Sequence, residues 1–312
     1  MTLAAATSLL FLGCVTGLMI DHRVLTGLPI WAKPAKFSLS IVVYAITWAW
    51  LIAQLRRSHR IAWWFGTVAA AGLTIEIIII VAQVVRGTTS HFNRTTTLNS
   101  TLWDIMGQSI IVVWLATLGV AILLIRNPVA DQTRNRAVLL GSWVSVLGMA
   151  LGILMIFPTK AQQRTHSLIR GAHTVGASDG GPGLPLVGWS TIGGDLRIPH
   201  FVGMHALQVI PLIAIMLELM ARRIPLLRHP DFRRRLITLA AGVYVALLVL
   251  LTWQALRAQS ILHPDEITWL VFAAIVFGTT GATLALIRAH HGTDATVHPR
   301  RLIAVGSKRA AR

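Results

Sequence analysis

Apolar stretches of about 20 residues recur along the whole chain and are separated by short polar connectors. A helix needs about 20 apolar residues to cross the hydrocarbon core of a bilayer, so each stretch is long enough to span a membrane. Windows of this length predict spans near residues 3–20, 37–54, 62–85, 104–125, 137–157, 200–221, 236–256 and 267–287. The sequence therefore predicts an all-α, polytopic membrane bundle of eight transmembrane helices.

The composition agrees with a membrane protein and excludes several other classes. Apolar residues make up 54% of the chain and charged residues 12%, about half the charged share of a soluble domain. A net charge of +17 would indicate nucleic-acid binding in a soluble protein, but here the Arg residues cluster at the ends of the apolar stretches. We therefore expect the lipid bilayer as the partner and no nucleic acid.

Lys and Arg are distributed unequally between two alternating sets of connectors. Eighteen belong to the first set, which comprises residues 55–61, 126–136 and 222–235 and the tail from Arg288. Ten belong to the second set, which comprises residues 21–36, 86–103, 158–199 and 257–266. Because cytoplasmic loops carry the basic excess, this pattern predicts a bacterial-type cytoplasmic (inner) membrane protein with both termini in the cytoplasm.

Short segments of the first half recur in the same order in the second half. LGCVTGLMI from Leu12 resembles LGMALGILMI from Leu147, and TLGVAILLIR from Thr117 resembles TTGATLALIR from Thr279. Gln-x-x-Arg ends both the third and the seventh span. This order predicts two parallel four-helix halves, 1–136 and 137–290, with chance similarity of Leu-rich helices as the alternative. The second half contains the long external loop 158–199, and a basic cytoplasmic tail, 291–312, follows.

The two similar segments in spans 1 and 5, LGCVTGLMI and LGMALGILMI, each contain Gly-x-x-x-Gly. The pairs are Gly13 with Gly17 and Gly148 with Gly152. Small residues at this spacing let two helix backbones approach each other, so we expect close helix contacts at both pairs.

Glu76 is the clearest ionisable residue inside a span. A charged side chain at the bilayer centre costs about 2.5–3.5 kcal/mol on insertion scales, so Glu76 requires a partner or a function. Gln83 lies two turns further along the same face, and Lys36 lies near the outer end of span 2 with a side chain long enough to reach inward. The alternatives are a neutral Glu76 bonded to a neighbouring helix, and a proton carrier paired with Lys36.

Histidines form a second group near the predicted outer surface. His200 begins span 6, His205 lies deeper, and Gln208 shares a face with His205 because it is three residues further on. Pro211 is expected to bend this span. His91 follows span 3, whereas His173 in the long loop is expected to be a solvated residue.

The polar residues of the spans collect in the predicted outer halves, whereas the inner halves are almost wholly apolar. This distribution favours an extracytoplasmic-facing pocket that binds a cofactor, either non-covalent heme b or a transition metal, in a membrane oxidoreductase. His205 would be one ligand and His91 or His200 the second, with Gln208 or Gln83 orienting a ligand. Glu76 would relay a proton or offset the charge of the centre.

Two other function classes remain open. The alternative is a proton- or cation-coupled small-solute transporter in which Glu76 and Lys36 titrate. The third is a membrane sensor or scaffold whose external loop binds a partner. An enzyme of the first class would act on a lipid-soluble or extracytoplasmic small molecule.

In span count and tandem halves the chain resembles heme A synthase, which also has eight spans in two four-helix halves. The resemblance is one of architecture and implies the same type of bundle. That family places membrane histidines on several helices of both halves, whereas here His205 is the one histidine well inside a predicted span.

Overall fold

The computed structural model describes residues 1–55, 58–129 and 131–309, with residues 292–309 described as backbone only. Helices dominate these residues, and the strands are two short antiparallel pairs. The helices are α1 Thr2–Ile20, α2 Ala32–Gln54, α3 His59–Val85, α4 Thr97–Arg126, α5 Gln132–Ala150, α6 Ile153–Ile156, α7 Lys160–Arg164, α8 Arg197–Met204, α9 Ala206–Met220, α10 Pro230–Leu256 and α11 Glu266–Arg309. The strands are β1 Val24–Leu25, β2 Leu28–Pro29, β3 Thr174–Val175 and β4 Gly194–Asp195.

Seven helical segments of the described chain are long and apolar enough to cross a membrane. The pair α8 and α9 makes an eighth span if it is counted as one helix bent by 48°. The predicted all-α bundle of eight membrane helices is therefore confirmed, whereas the four-plus-four repeat stays a prediction.

Several helices begin before the apolar windows because polar side chains cap them at the expected membrane boundary. α4 begins at Thr97, and the Thr96 hydroxyl accepts the backbone N–H of Asn99 at 3.2 Å. α5 begins after Asp131, whose carboxylate accepts the backbone N–H of Arg134 at 2.8 Å. A window of mean hydropathy does not detect capping residues, so the predicted spans begin later in the chain than the helices do.

The bend in the sixth span lies at His205, not at Pro211 as the sequence predicts. His205 joins α8 to α9, and Pro211 lies inside the continuous helix α9. A carbonyl freed at the break is satisfied from a neighbouring helix, because the Ser145 hydroxyl donates to Met204 O at 2.8 Å. A broken helix is tolerated at membrane depth when neighbours bond its free backbone groups.

The helices pack largely in chain order. α1 packs on α2, α2 on α3, α3 on α4 and α4 on α5, while α5 packs on α8, α9 and α10, and α11 packs on α10. α4 contacts α5 and α2 contacts α9, so the two halves meet along these two pairs.

The bundle has two ends that differ in their connectors. The loop end carries the connectors between α1 and α2, between α3 and α4, from α7 to α8, and between α10 and α11. The tail end carries the remaining connectors and the extension of α11. On the tail side of Glu76 lies the tail-half core, made of Tyr44, Trp48, Leu51, Leu55, Ala62, Ala69, Val113, Ala116, Val120, Leu124, Val129, Val138 and Leu207.

The long connector between α7 and α8 packs across the loop end. Ile169 forms an antiparallel bridge with Asn93, which lies in the connector between α3 and α4. Gly194 lies so close to α10 that an added Cβ would be 1.9 Å from Ala255 O. Since only glycine fits at such a contact, the connector is seated directly on the bundle.

Candidate functional site

Glu76 is a buried carboxylic acid in the loop-end half of α3. It precedes the last residue of α3, Val85, by about 14 Å along the helix axis. The residue is 2% exposed. Its Oε1 lies 3.7 Å from His91 Nε2, and its Oε2 has no hydrogen-bond partner among the described residues. Buried polar atoms nearly always have partners, so this oxygen marks a site that needs an explanation.

The side chain of His91, just beyond the end of α3, is surrounded by aromatic rings. Its ring centroid lies 5.4 Å from that of Trp103, 5.9 Å from that of Phe37 and 6.0 Å from that of Phe92. Burial lowers the pKa of His91 well below its usual 6.5, and the charge of Lys33 lowers it further. His91 is therefore a neutral imidazole near pH 7.

A tight turn in the connector between α3 and α4 positions this ring. The Asn93 amide donates to Thr88 Oγ1 and to Thr89 O, both at 3.0 Å. Phe92 adopts a φ of 61°, in the left-handed region that Phe seldom occupies. The turn reverses the chain immediately after His91 and holds its ring beside α3.

His173 and Asp179 form a hydrogen-bonded dyad in the long connector. His173 Nδ1 lies 2.7 Å from Asp179 Oδ2, and the carboxylate also accepts backbone N–H groups from His173 at 3.0 Å and Thr174 at 2.9 Å. Burial alone would raise the pKa of Asp179, but the hydrogen bonds that its carboxylate accepts from His173 and Thr174 bring the pKa well below its usual value. Because a carboxylate only accepts, Nδ1 carries the proton and the neutral ring has its lone pair on Nε2.

His173, which the sequence predicts to be a solvated loop residue, is half-buried in the structure. Its ring centroid lies 4.9 Å from that of Phe92 and 6.4 Å from that of His91. Burial lowers the pKa of His173, although Asp179 opposes the shift. The connector has no periodic apolar pattern that would indicate burial of His173. Its spacing of six residues from Asp179, in a Gly-rich loop, is the sequence feature that goes with the hydrogen-bonded pair.

Exposure falls steadily along this series of groups. The side chains are 27% exposed at Asp179, 22% at His173, 19% at His91 and 3% at Glu76. The order defines a direction from the loop-end surface into the bundle. We call the following residues the polar cluster: Lys33, Glu76, His91, His173, Asp179 and His200.

Lys33, and not Lys36, is the lysine whose charge acts on Glu76. The ammonium group of Lys36 donates instead to Val187 O in the long connector at 2.7 Å. The structure therefore does not bring the predicted pair of Glu76 and Lys36 together. Both lysines lie in the first two turns of α2, so the sequence alone could not distinguish them.

His200 joins the polar cluster from α8. Its Nδ1 lies 2.9 Å from Gly148 O on α5, and because a carbonyl only accepts, Nδ1 is the donor. An added Cβ on Gly148 would lie 2.1 Å from the carbonyl carbon of Gly203, so the backbones of α5 and α8 touch here. The close contact predicted at Gly148 is thus confirmed, whereas a Cβ on Gly13 would meet nothing within 4 Å.

His205 bonds to different partners from His200 and links the two halves. Its Nδ1 lies 3.2 Å from Gln208 Oε1 and its Nε2 lies 3.3 Å from Ser40 Oγ on α2. The predicted shared face of His205 and Gln208 is confirmed. Both ring nitrogens are engaged, which suits a helix-to-helix bond.

Gln83 closes the turn after α3 and makes no hydrogen bond to any histidine among the described residues. Its amide donates to Thr89 O at 3.3 Å and to Asn99 Oδ1 at 3.1 Å, and Arg86 donates to its carbonyl oxygen. Gln83 is completely buried, and its interactions join α3 to α4.

The second Gln-x-x-Arg has the same local geometry. Gln254 donates to Ser260 O at 2.9 Å, also six residues further along the chain. The residue four positions after each glutamine has a positive φ, 70° at Gly87 and 58° at Ala258. The two turns therefore share this backbone geometry, although Arg86 donates to Gln83 whereas Arg257 donates to Asp265.

The predicted metal ligands His91, His200 and His205 are not gathered around one point. Within the part of the chain that the structure describes, no three His, Cys, Asp or Glu side chains lie close enough to hold a metal ion. At the loop end, the ring of His91 instead approaches that of His173.

No protein-family model, curated protein or solved structure matches this chain. The residues of the polar cluster are therefore the basis for proposing a function.

Proposed function

We propose that this chain is an integral protein of the cytoplasmic membrane whose polar cluster performs acid–base chemistry on a small lipid-soluble or extracytoplasmic molecule. Glu76 gives or takes the proton, and His91 with the His173–Asp179 dyad connects Glu76 to water. The observation that most supports this proposal is the buried Oε2 of Glu76, which has no hydrogen-bond partner among the described residues. It lies at the inner end of a series of ionisable groups whose exposure decreases toward the bundle interior. A general acid or base needs such a free position for its substrate.

The spacing of the groups suits proton transfer in short steps. Glu76 and His91 lie 3.7 Å apart, and the ring centroids of His91 and His173 lie 6.4 Å apart. The gap between Glu76 and His91 is within the reach of one bridging water. His91 is neutral, so it passes a proton on instead of retaining it, and Asp179 stabilises the imidazolium that forms transiently on His173.

The proposed orientation places the loop end outside the cell. The basic excess of the tail-end connectors supports it. A transporter that uses Glu76 and Lys36 would need water to reach Glu76 from the tail end, where the tail-half core lies. The ammonium group of Lys36 is hydrogen-bonded to the long connector and is not paired with Glu76. The geometry therefore favours proton exchange between Glu76 and the loop end over transport across the bundle.

A pH jump on the purified protein tests the proposal. Infrared spectroscopy follows protonation of the Glu76 carboxyl, identified as the band that Glu76→Gln removes. His91→Phe keeps an aromatic ring among Phe37, Phe92 and Trp103 but has no nitrogen, so we expect protonation to slow by about 100-fold. His263→Phe, at an exposed position of the same end, should leave the rate unchanged. An unchanged rate in His91→Phe would contradict the proposed path.

A redox centre is the second candidate, favoured by how two histidines are anchored. His173 and His200 each donate from Nδ1 to an oxygen, which leaves Nε2 free to bind a metal. Carboxylate or carbonyl partners on the second nitrogen are typical of metal-ligating histidines. Heme b or a transition metal held by His173 and His200 would give the purified protein a visible spectrum or bound metal that His173→Ala removes and His205→Ala retains.

A further inference from the structure

An apolar groove lies between α10 and α11 in the tail-end half of the bundle. Its volume is about 730 Å³. It extends from Arg235 to Ala246 on α10, about 16 Å along the helix axis. Its lining consists mostly of small and aliphatic residues: Arg235, Thr238, Leu239, Gly242, Val243, Ala246, Ala274, Ile275, Gly278, Thr279, Ala282, Ala285 and Leu286.

The groove exists because small residues leave space between the two helices. Added Cβ atoms on Gly242 and Gly278 would meet nothing within 4 Å. α11 packs on α10, and none of the apolar window of its membrane segment is buried inside the protein. In a bilayer such a groove opens to lipid, where acyl chains can enter it.

Two guanidinium groups stand at the tail-end mouth of the groove. Arg235 lines it directly, and Arg136 on α5 donates to the hydroxyl of Thr238, another lining residue, at 3.1 Å. Among the described residues neither arginine has an ion-pair partner, whereas the adjacent Arg234 pairs with Asp231 at 2.8 Å. The mouth is therefore positively charged and uncompensated.

We propose that this groove binds an anionic phospholipid, with one acyl chain between α10 and α11 and the phosphate at Arg136 and Arg235. Guanidinium groups bind phosphate oxygens in a bidentate manner, and basic pockets between membrane helices hold anionic head groups. The apolar walls match an acyl chain, and the charge at the mouth matches a lipid phosphate. The site is separate from the polar cluster, which lies at the other end of the bundle.

Thermal unfolding of the delipidated, detergent-purified protein tests the lipid site. We expect phosphatidylglycerol to raise the melting temperature in a saturable manner, because a ligand that binds the folded state stabilises it. Phosphatidylcholine should raise it much less, and inorganic phosphate should not raise it. An equal response to phosphatidylcholine, or to inorganic phosphate alone, would overturn the proposal.

Variants separate the groove from general effects of lipid. Gly278→Leu fills the groove and should abolish the response, whereas Gly281→Leu has equally open surroundings, does not line the groove and should respond like the parent protein. Arg235→Gln keeps the groove and should weaken apparent lipid affinity about fivefold. A full response in Gly278→Leu, or an unchanged affinity in Arg235→Gln, would count against the site.

Discussion

The His91 imidazole couples the stability of the fold to pH. Burial keeps the pKa of His91 well below 6.5 in the folded protein, whereas the unfolded chain has the usual value. Below about pH 6.5 the unfolded state therefore binds a proton that the folded state does not. The free energy of unfolding must decrease as the pH falls through this range.

His91→Phe should make the stability less dependent on pH. Between pH 6.5 and pH 5 we expect the slope of unfolding free energy against pH to fall by up to about 1.4 kcal/mol per pH unit, the limit for one proton. The remaining slope comes in part from His173, whose pKa burial also lowers. Denaturant unfolding in detergent at several pH values measures the slope, and His263→Phe is the control. A slope equal to that of the parent protein would show that His91 is not kept neutral by the fold.

Single residues were predictable from the sequence when hydropathy exposed them. Glu76 stands out because a carboxylate interrupts a run of Ile residues. His173 could not be found in this way, since its partial burial arises when the long connector folds back onto Phe92 and His91. Contacts between residues so far apart leave no local pattern in the chain.

At the scale of elements, two basic side chains hold the long connector over the polar cluster. Lys36 on α2 donates to Val187 O, and Arg197 on α8 donates to the next carbonyl, Gly188 O. Arg197 is itself held by Asp195, which is 1% exposed. The connector is thereby attached to helices of both halves, which fixes His173 relative to His91.

The contact between α5 and α8 at Gly148 provides an element-scale prediction. In Gly148→Ala the new methyl group would lie about 2 Å from the Gly203 backbone, so the two helices must move apart. We expect a loss of about 1–3 kcal/mol in unfolding stability, as for other overpacked contacts. Gly13→Ala is the matched control, since its Cβ meets open space and should leave stability unchanged or slightly raised. A Gly148→Ala protein as stable as the parent would contradict the close contact.

The ends and bends of elements were harder to predict than their existence. The apolar windows located every span, but the caps at Thr96 and Asp131 lengthen α4 and α5 beyond them. The bend lies at His205, although Pro211 was the residue with a local reason to cause one. Neighbouring helices decide where a span can break, and hydropathy does not report those neighbours.

At the scale of the whole molecule, ionisable groups and apolar packing divide the bundle lengthwise. The polar cluster lies toward the loop end, and the tail-half core lies on the other side of Glu76. The contact of Gly72 with Val113 and Ser109 brings α3 and α4 together about one turn from Glu76 toward the tail end. From this division, the proposed function predicts that Glu76 exchanges protons with one side of the membrane only.

The number and order of spans followed from the sequence because each membrane helix satisfies its own backbone hydrogen bonds and is recognisable alone. The assembly of the polar cluster did not follow, since it draws on α2, α3, α8 and two connectors at once. A site built from five separate segments depends on how the helices pack against one another, and no single stretch of sequence reports that packing.

Protonation of Glu76 in oriented proteoliposomes tests the central claim most directly. The pH is changed on one side only, and the infrared carboxyl band that Glu76→Gln removes is recorded before the gradient decays. The band should follow the pH on the loop-end side and ignore the tail-end side, because the tail-half core excludes water from that direction. A band that follows the pH on the tail-end side would contradict the account.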